Sequence, residues 1–209
     1  MPTTTTAGAE ERRKRIIREA AALFNKTGYF NTSMDDIAEA VGLRKPTLYY
    51  YISSKEQILY LMHEELIDNL ISLHQSRLNT RISCGQLLQE VLIDILEEID
   101  EFPGYVRAFF EHYRELDGDK KKQIESKRDA YFRMIVDVIR KGQAQGEFQK
   151  SDPTFTALAF FGMCNWTYQW YNPQGRWRPR EIALRLWDTF MYGVANHARN
   201  GNSLPRPDA

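Results

Sequence analysis

An all-α fold follows from three features of this 209-residue chain. Apolar residues recur at helical spacing, as in Ile16, Ala20, Leu23 and Phe24, and again in Leu87, Val91, Ile95 and Ile99. No segment combines sustained two-residue alternation with hairpin turns such as Asn-Gly. Glycines and prolines instead punctuate the chain at helix-length intervals, with Gly28, Gly42, Gly85, Gly104, Gly118, Gly146 and Gly175 near breaks and Pro103, Pro153 and Pro179 near starts.

Taken in order, these signals predict nine helices, over about residues 10–27, 33–40, 44–50, 54–78, 85–101, 104–116, 119–145, 152–171 and 178–199. Ser33 with Asp36, and Ser54 with Gln57, have capping-box spacing. Asp152-Pro153 sets an acceptor before a proline at the first helical position. Arg178-Pro179 lacks a good cap, and Glu181 in the first turn suits the positive end of that dipole. The polar ends, Met1–Ala9 and Asn200–Ala209, are expected to fray. The first three helices are short and the remaining six include several long ones, which predicts a head over residues 1–53 and a body over 54–209.

Composition removes several classes of function. Lys plus Arg and Asp plus Glu both number 28, so a contact with nucleic acid must come from a local patch. Residues 1–60 lean basic, with 9 Lys and Arg against 7 Asp and Glu. Mean hydropathy is −0.53 and apolar runs such as Ala157–Phe161 are short, so no membrane span is expected. The start lacks the basic-then-apolar layout of a signal peptide, and Cys84 and Cys164 read as separate buried thiols. A soluble, cytoplasmic chain is the expectation. There is no Gly-x-Gly loop, no Gly-x-Ser-x-Gly elbow and no Cys-x-x-Cys. His63, His74, His112 and His197 are not paired at ligand spacing, and Glu111, His112 and Glu115 read as a solvated face. No metal, cofactor or catalytic set is expected, and an all-α enzyme stays a remote alternative.

Within Ser33–Tyr51, two short helices flank Ala40-Val41-Gly42-Leu43. A glycine in so short a turn lets the second helix cross the first steeply, the layout of a helix-turn-helix whose second helix enters the major groove. That helix offers Arg44, Lys45, Thr47, Tyr49, Tyr50 and Tyr51: cations for phosphate or guanine, a hydroxyl, and rings for thymine methyls. One of three consecutive tyrosines must face the core, and Tyr50 is the expected one. Arg12-Arg13-Lys14-Arg15 is equally readable as a phosphate contact or a solvated first turn.

The run Thr32–Leu43, then Pro46–Ile52 and Ser54-Lys55-Glu56, closely resembles the DNA-binding head of TetR-family repressors, as do Ala20–Phe24 and Gly28-Tyr29-Phe30 upstream. The resemblance covers about residues 10–60. It implies that Thr32 or Ser33 contacts phosphate, that Lys45, Pro46 and Thr47 meet base edges, that Tyr49, Tyr50 and Tyr51 touch thymine methyls and backbone, and that Lys55 clamps a phosphate. Arg44 departs from the serine frequent there, weakening a cap and adding a cation. Ile52 replaces a frequent phenylalanine in the core.

The body offers many apolar residues at helical spacing, most of them core by default. Arg107, Phe110, Tyr131, Arg133, Asn165, Trp166 and Gln169 are the candidate effector contacts. Less specifically than the head, the stretch Phe160–Pro173, with Asn165-Trp166 and Trp170-Tyr171, resembles a TetR subgroup tied to acyl-CoA metabolism. That resemblance implies an acyl-CoA or other CoA thioester as effector, with a multidrug-type sensor of planar aromatic compounds as the alternative. Helices eight and nine are apolar on more than one face, which predicts a homodimer through them. The implied partners are therefore a double-stranded DNA operator, a small-molecule effector and a second copy of the chain.

Overall fold

The computed structural model describes residues 4–192, and all of its regular structure there is helical. The head comprises α1 (Thr4–Thr27), α2 (Met34–Ala40) and α3 (Lys45–Tyr51). The body comprises α4 (Lys55–Leu78), α5 (Cys84–Glu101), α6 (Pro103–Glu111), a short 3-10 turn (Tyr113–Glu115), α7 (Gly118–Ala144), α8 (Pro153–Trp170) and α9 (Pro179–Tyr192).

The starts of these helices follow the side chains that can satisfy their free N–H groups. Ser33 accepts from the Asp36 N–H while the Asp36 carboxylate accepts from the Ser33 N–H, closing a capping box on α2. Asp152 accepts from the Phe155 N–H ahead of Pro153, and the Glu181 carboxylate accepts from the Arg178 N–H at 2.9 Å. Between α2 and α3, Leu43 N–H reaches back to the Ala38 carbonyl across Gly42, whose φ is +66°. That left-handed turn is nearly free for glycine alone, and it sets the angle between the two helices.

Two boundaries differ from expectation by more than one residue. Helix α1 begins at Thr4, ahead of the expected start, and Ala7, Ala9 and Glu10 are good helix formers. Helix α6 stops at Glu111, and the last residues assigned to it form the 3-10 turn, whose tighter pitch lets Leu116 reach the core. The expected end of α9 at 199, and His197, lie outside the described residues.

Two apolar clusters hold the molecule together. One surrounds the head and joins Ile16, Phe24, Ile37, Leu48 and Ile52 to Ile58, Leu59 and Met62 of α4, and to Tyr105 and Ala108 of α6. The other fills the body among α4, α5, α7, α8 and α9, with Leu88, Leu92, Ile135 and Phe160 fully buried. The buried Asp94 accepts two hydrogen bonds from the Arg77 guanidinium, so its charge is paired inside the body. Helices α4 and α6 therefore belong to both clusters and tie the head to the body. Among the described residues, no helix is long and apolar enough to cross a membrane.

Candidate DNA interface and ligand cavity

Helix α3 presents Arg44, Lys45, Pro46, Thr47, Tyr49 and Tyr50 to solvent along one side, while Leu48 is fully buried beneath them. Pro46 opens the helix, and Arg44 at its N-cap makes no side-chain capping bond, consistent with the loss of a serine cap. Tyr50 is 81% exposed and its ring meets Tyr51 edge-on at 5.1 Å. The tyrosine that turns inward is Tyr51, which packs half-buried on the head cluster. The expectation for Tyr50 is thus reversed: with Leu48 fixed inward, a residue three positions on shares its face and a residue two on does not.

Several polar groups of the head already have internal partners. Lys45 Nζ lies 2.9 Å from the Asp35 carboxylate on α2, an exposed pair that keeps the ammonium charged. Lys55 Nζ donates to the carbonyls of Tyr29 (2.7 Å) and Thr32 (2.9 Å) and sits 4.4 Å from the centre of the Tyr29 ring. Two of its three donors are thereby spent on the α1–α2 connection, and one remains. Thr32 is 2% exposed, and its hydroxyl donates to the Gly28 carbonyl. Its side chain is therefore a brace within the fold and not a free phosphate contact. Ser33 also spends its hydroxyl on the α2 cap.

In the body, α4, α5, α6, α7 and α8 line an open-sided cavity of about 420 Å³. Leu66, Ile67, Leu70, Ile95, Ile99, Val106 and Phe109 make its floor and walls, and Phe110, Tyr131 and Asn165 line it as well. This volume and this apolar lining fall in the range of small-molecule pockets. Arg107, Arg133, Trp166 and Gln169 do not line it. Arg107 and Arg133 point to solvent, Trp166 is 66% exposed, and Gln169 is an exposed donor to the Tyr168 hydroxyl. One helical step of about 100° separates Asn165 from Trp166 and puts them on different faces.

The cavity wall contains a cation that the sequence reading passed over. Arg128 of α7 lies with its guanidinium 4.5 Å from the Phe109 ring centre and 4.7 Å from that of Tyr113. Among the described residues it forms no ion pair, and burial lowers its pKa from the ordinary arginine value. The signal was present: Ile124, Arg128, Tyr131, Ile135 and Ile139 fall at spacings of three and four, so a cation interrupts an apolar stripe. Arg133 lies off that stripe. The cavity also takes in Asp129, Phe132, Leu158 and Phe161.

Helices α7 and α8 run antiparallel here, with the rings of Phe132 and Phe161 stacked at 5.8 Å. One turn away in opposite chain directions stand Arg128 and Asn165, at one level of the cavity. Close to Arg128, His63 of α4 is fully buried against Phe109, and neither ring nitrogen has a hydrogen-bond partner. Burial, aided by the Arg128 charge, drives its pKa down to about 3, so the ring is neutral. Among the described residues, no group of three or more His, Cys, Asp or Glu is arranged to hold a metal ion.

Comparison with known proteins agrees with both halves. Residues 16–60 match the family described as bacterial regulatory proteins, tetR family, and residues 83–194 match the tetracyclin repressor-like C-terminal domain. The HTH-type transcriptional repressor KstR2 of Mycolicibacterium smegmatis is 25% identical over 196 residues, 93% of this chain and 96% of that protein. The TetR family regulator PfmR of Thermus thermophilus superposes with a TM-score of 0.82 at 27% identity, covering 87% of this chain and all of that one. AibR, solved in complex with isovaleryl coenzyme A and operator DNA, superposes with a TM-score of 0.78 at 26% identity, covering 86% and 98% of the two chains.

Proposed function

From the premise that this chain belongs to the tetR family of bacterial regulatory proteins, we propose that it is a homodimeric repressor released from its operator by an acyl-CoA-type effector. The chain is a DNA-binding transcriptional regulator and not an enzyme. The observation that carries the effector reading is the apolar cavity with Arg128 and Asn165 at one level of its wall. An acyl tail fills the apolar part, the thioester meets the two polar side chains, and the nucleotide portion remains outside. The complex of AibR with isovaleryl coenzyme A supports this ligand class.

The dimer reading rests on a stripe of α8. Phe155, Leu158, Trp166 and Trp170 are exposed, and Gly162 leaves open space between them. Leu184 and Tyr192 of α9 are exposed as well. So many large apolar groups on two adjacent helices fit a second copy of this chain. A two-fold pair also gives the head its reach, since two recognition helices read half-sites roughly 34 Å apart or a multiple of that.

In the head, α3 reads bases through Lys45, Pro46 and Thr47, flanked by Arg44. Tyr49 and Tyr50 contact methyl groups and backbone, and the α2 N-terminus with Ser33 meets phosphate. Lys55 offers its remaining donor to a phosphate. The division at residues 53 and 54 is functional, since packing joins head to body through α4 and α6. A cytoplasmic location follows from this role.

Two measurements test the reading together. DNA from the protein's own promoter region is expected to shift in a gel, and light scattering is expected to give twice 24.5 kDa at micromolar concentration. A monomer, or no shift with any promoter fragment, contradicts it.

A further inference from the structure

We infer that the cavity distinguishes the neutral carbonyl of an acyl thioester from the carboxylate of the free acid, with Arg128 as the receiving group and Asp129 as the excluding one. This inference rests on the effector reading above and concerns which head group that site accepts. Arg128 is held over Phe109 and Tyr113, rings that satisfy a guanidinium by their faces and leave its N–H groups without an acceptor. A donor fork on the wall of an apolar cavity needs an acceptor oxygen, and Asn165, which lines the same cavity from α8, supplies a second donor.

The carboxylates around that fork decide which oxygen it takes. Asp129, the next residue, lines the same cavity and is exposed. Glu125, one turn back on α7, accepts a hydrogen bond from the hydroxyl of Tyr113, whose ring carries Arg128. Both carboxylates act on the guanidinium through their charge. The Lys121 ammonium lies 5.4 Å from the centre of the same Tyr113 ring, so two cations and two carboxylates stand around the fork, and of the two carboxylates Asp129 is the one that lines the cavity beside Arg128. A carboxylate entering the cavity would lose its water and meet the Asp129 carboxylate on the same wall. A thioester carbonyl accepts the same hydrogen bonds and carries no charge to desolvate. Discrimination then comes from a repulsive element as well as an attractive one.

Size permits both ligands, so the test isolates charge. A cavity of about 150 Å³ holds benzene, and this one is about 420 Å³, ample for an eight-carbon chain. The experiment is calorimetric titration of the full-length protein at pH 7.5 with octanoate and with the N-acetylcysteamine thioester of octanoic acid. That thioester lacks the phosphates of coenzyme A, so a preference for it reflects the carbonyl. The expected result is at least tenfold tighter binding of the thioester. In Asp129→Asn the expected result is a gain of several-fold for octanoate and no change for the thioester. In Arg128→Gln, with its melting temperature checked against wild type, the thioester is expected to lose at least tenfold. Arg128→Lys keeps the charge without the planar fork and is expected to lose less.

Octanoate binding as tightly as the thioester, or no response of octanoate to Asp129→Asn, would overturn the inference and leave the effector reading standing. Binding of neither probe would overturn both.

Discussion

Gly104 at the start of α6 lies so close to Ala21 of α1 that a Cβ there would stand 2.3 Å from the Ala21 carbonyl oxygen. Backbone meets backbone at this point, where the body touches the head. Helix α6 also contributes Val106, Phe109 and Phe110 to the cavity. A shift of that helix would therefore be passed directly to α1. Helix α4 offers a parallel link, from Lys55 at its start to Leu66, Ile67 and Leu70 on the cavity wall. Gly104→Ala must push α1 and α6 apart, at a cost of about 1–3 kcal/mol. Urea unfolding is expected to show that loss, and operator affinity is expected to fall although no DNA-contacting residue has changed. Unchanged stability would mean that the contact is looser than described.

Lys45 and Lys55 are expected to separate specificity from affinity. Lys45→Ala should cost about 1–3 kcal/mol and relax the preference at one base pair per half-site. Asp35→Asn frees Lys45 from its ion pair and should raise affinity for all DNA at low salt. Lys55→Met removes bonds to two carbonyls, so it should lower stability as well as weaken every sequence alike. Binding profiles across operator variants, read beside melting curves, check all three. An unchanged preference profile in Lys45→Ala would remove that residue from base reading.

His63 gives the protein a dependence on acid. Its folded pKa of about 3 lies below the ordinary 6.5, so the unfolded chain takes up a proton that the folded chain refuses. Stability from this group is complete above pH 6.5 and falls by about 1.4 kcal/mol per pH unit below it, toward pH 3. Burial lowers the pKa of the ring most, the Arg128 and His112 charges lower it further, and the backbone at Ala108 acts the other way. His74 and His112 are shifted downward by burial too and add to the slope. His63→Phe removes two unpartnered nitrogens and is expected to flatten the difference in stability between pH 7 and pH 5 by roughly 2 kcal/mol. Denaturant unfolding at the two pH values measures it, and an unaltered slope would refute the assignment.

Much of this was legible in the sequence for identifiable reasons. Periodicity and caps exposed every helix, because Ser33, Asp152 and Glu181 act within one turn of their own backbone. The turn at Gly42 was legible because only a few residue types tolerate its backbone. What escaped depended on contacts between distant segments. Tyr50 and Tyr51 cannot be told apart without knowing which face Leu48 commits to the core. Arg107 and Arg133 are polar residues among apolar neighbours, yet both face solvent. The informative cation was Arg128, on the apolar stripe itself, and its value depends on Phe109 and Tyr113 from a different segment. The Lys55 bonds to Tyr29 and Thr32 likewise join residues more than twenty positions apart.

The central claim is that occupation of the α4–α8 cavity releases the operator. A ligand can do this only by binding the DNA-free arrangement more tightly than the DNA-bound one, and a tenfold release needs about 1.4 kcal/mol of such coupling. The direct measurement is titration of a pre-formed operator complex with acyl-CoAs of increasing chain length, followed by fluorescence anisotropy of the labelled DNA. The account predicts release that strengthens with chain length until the cavity is filled, and at least a tenfold weaker response in Arg128→Gln. No release at any chain length, together with release by a planar aromatic drug, would contradict it and identify a multidrug-type sensor.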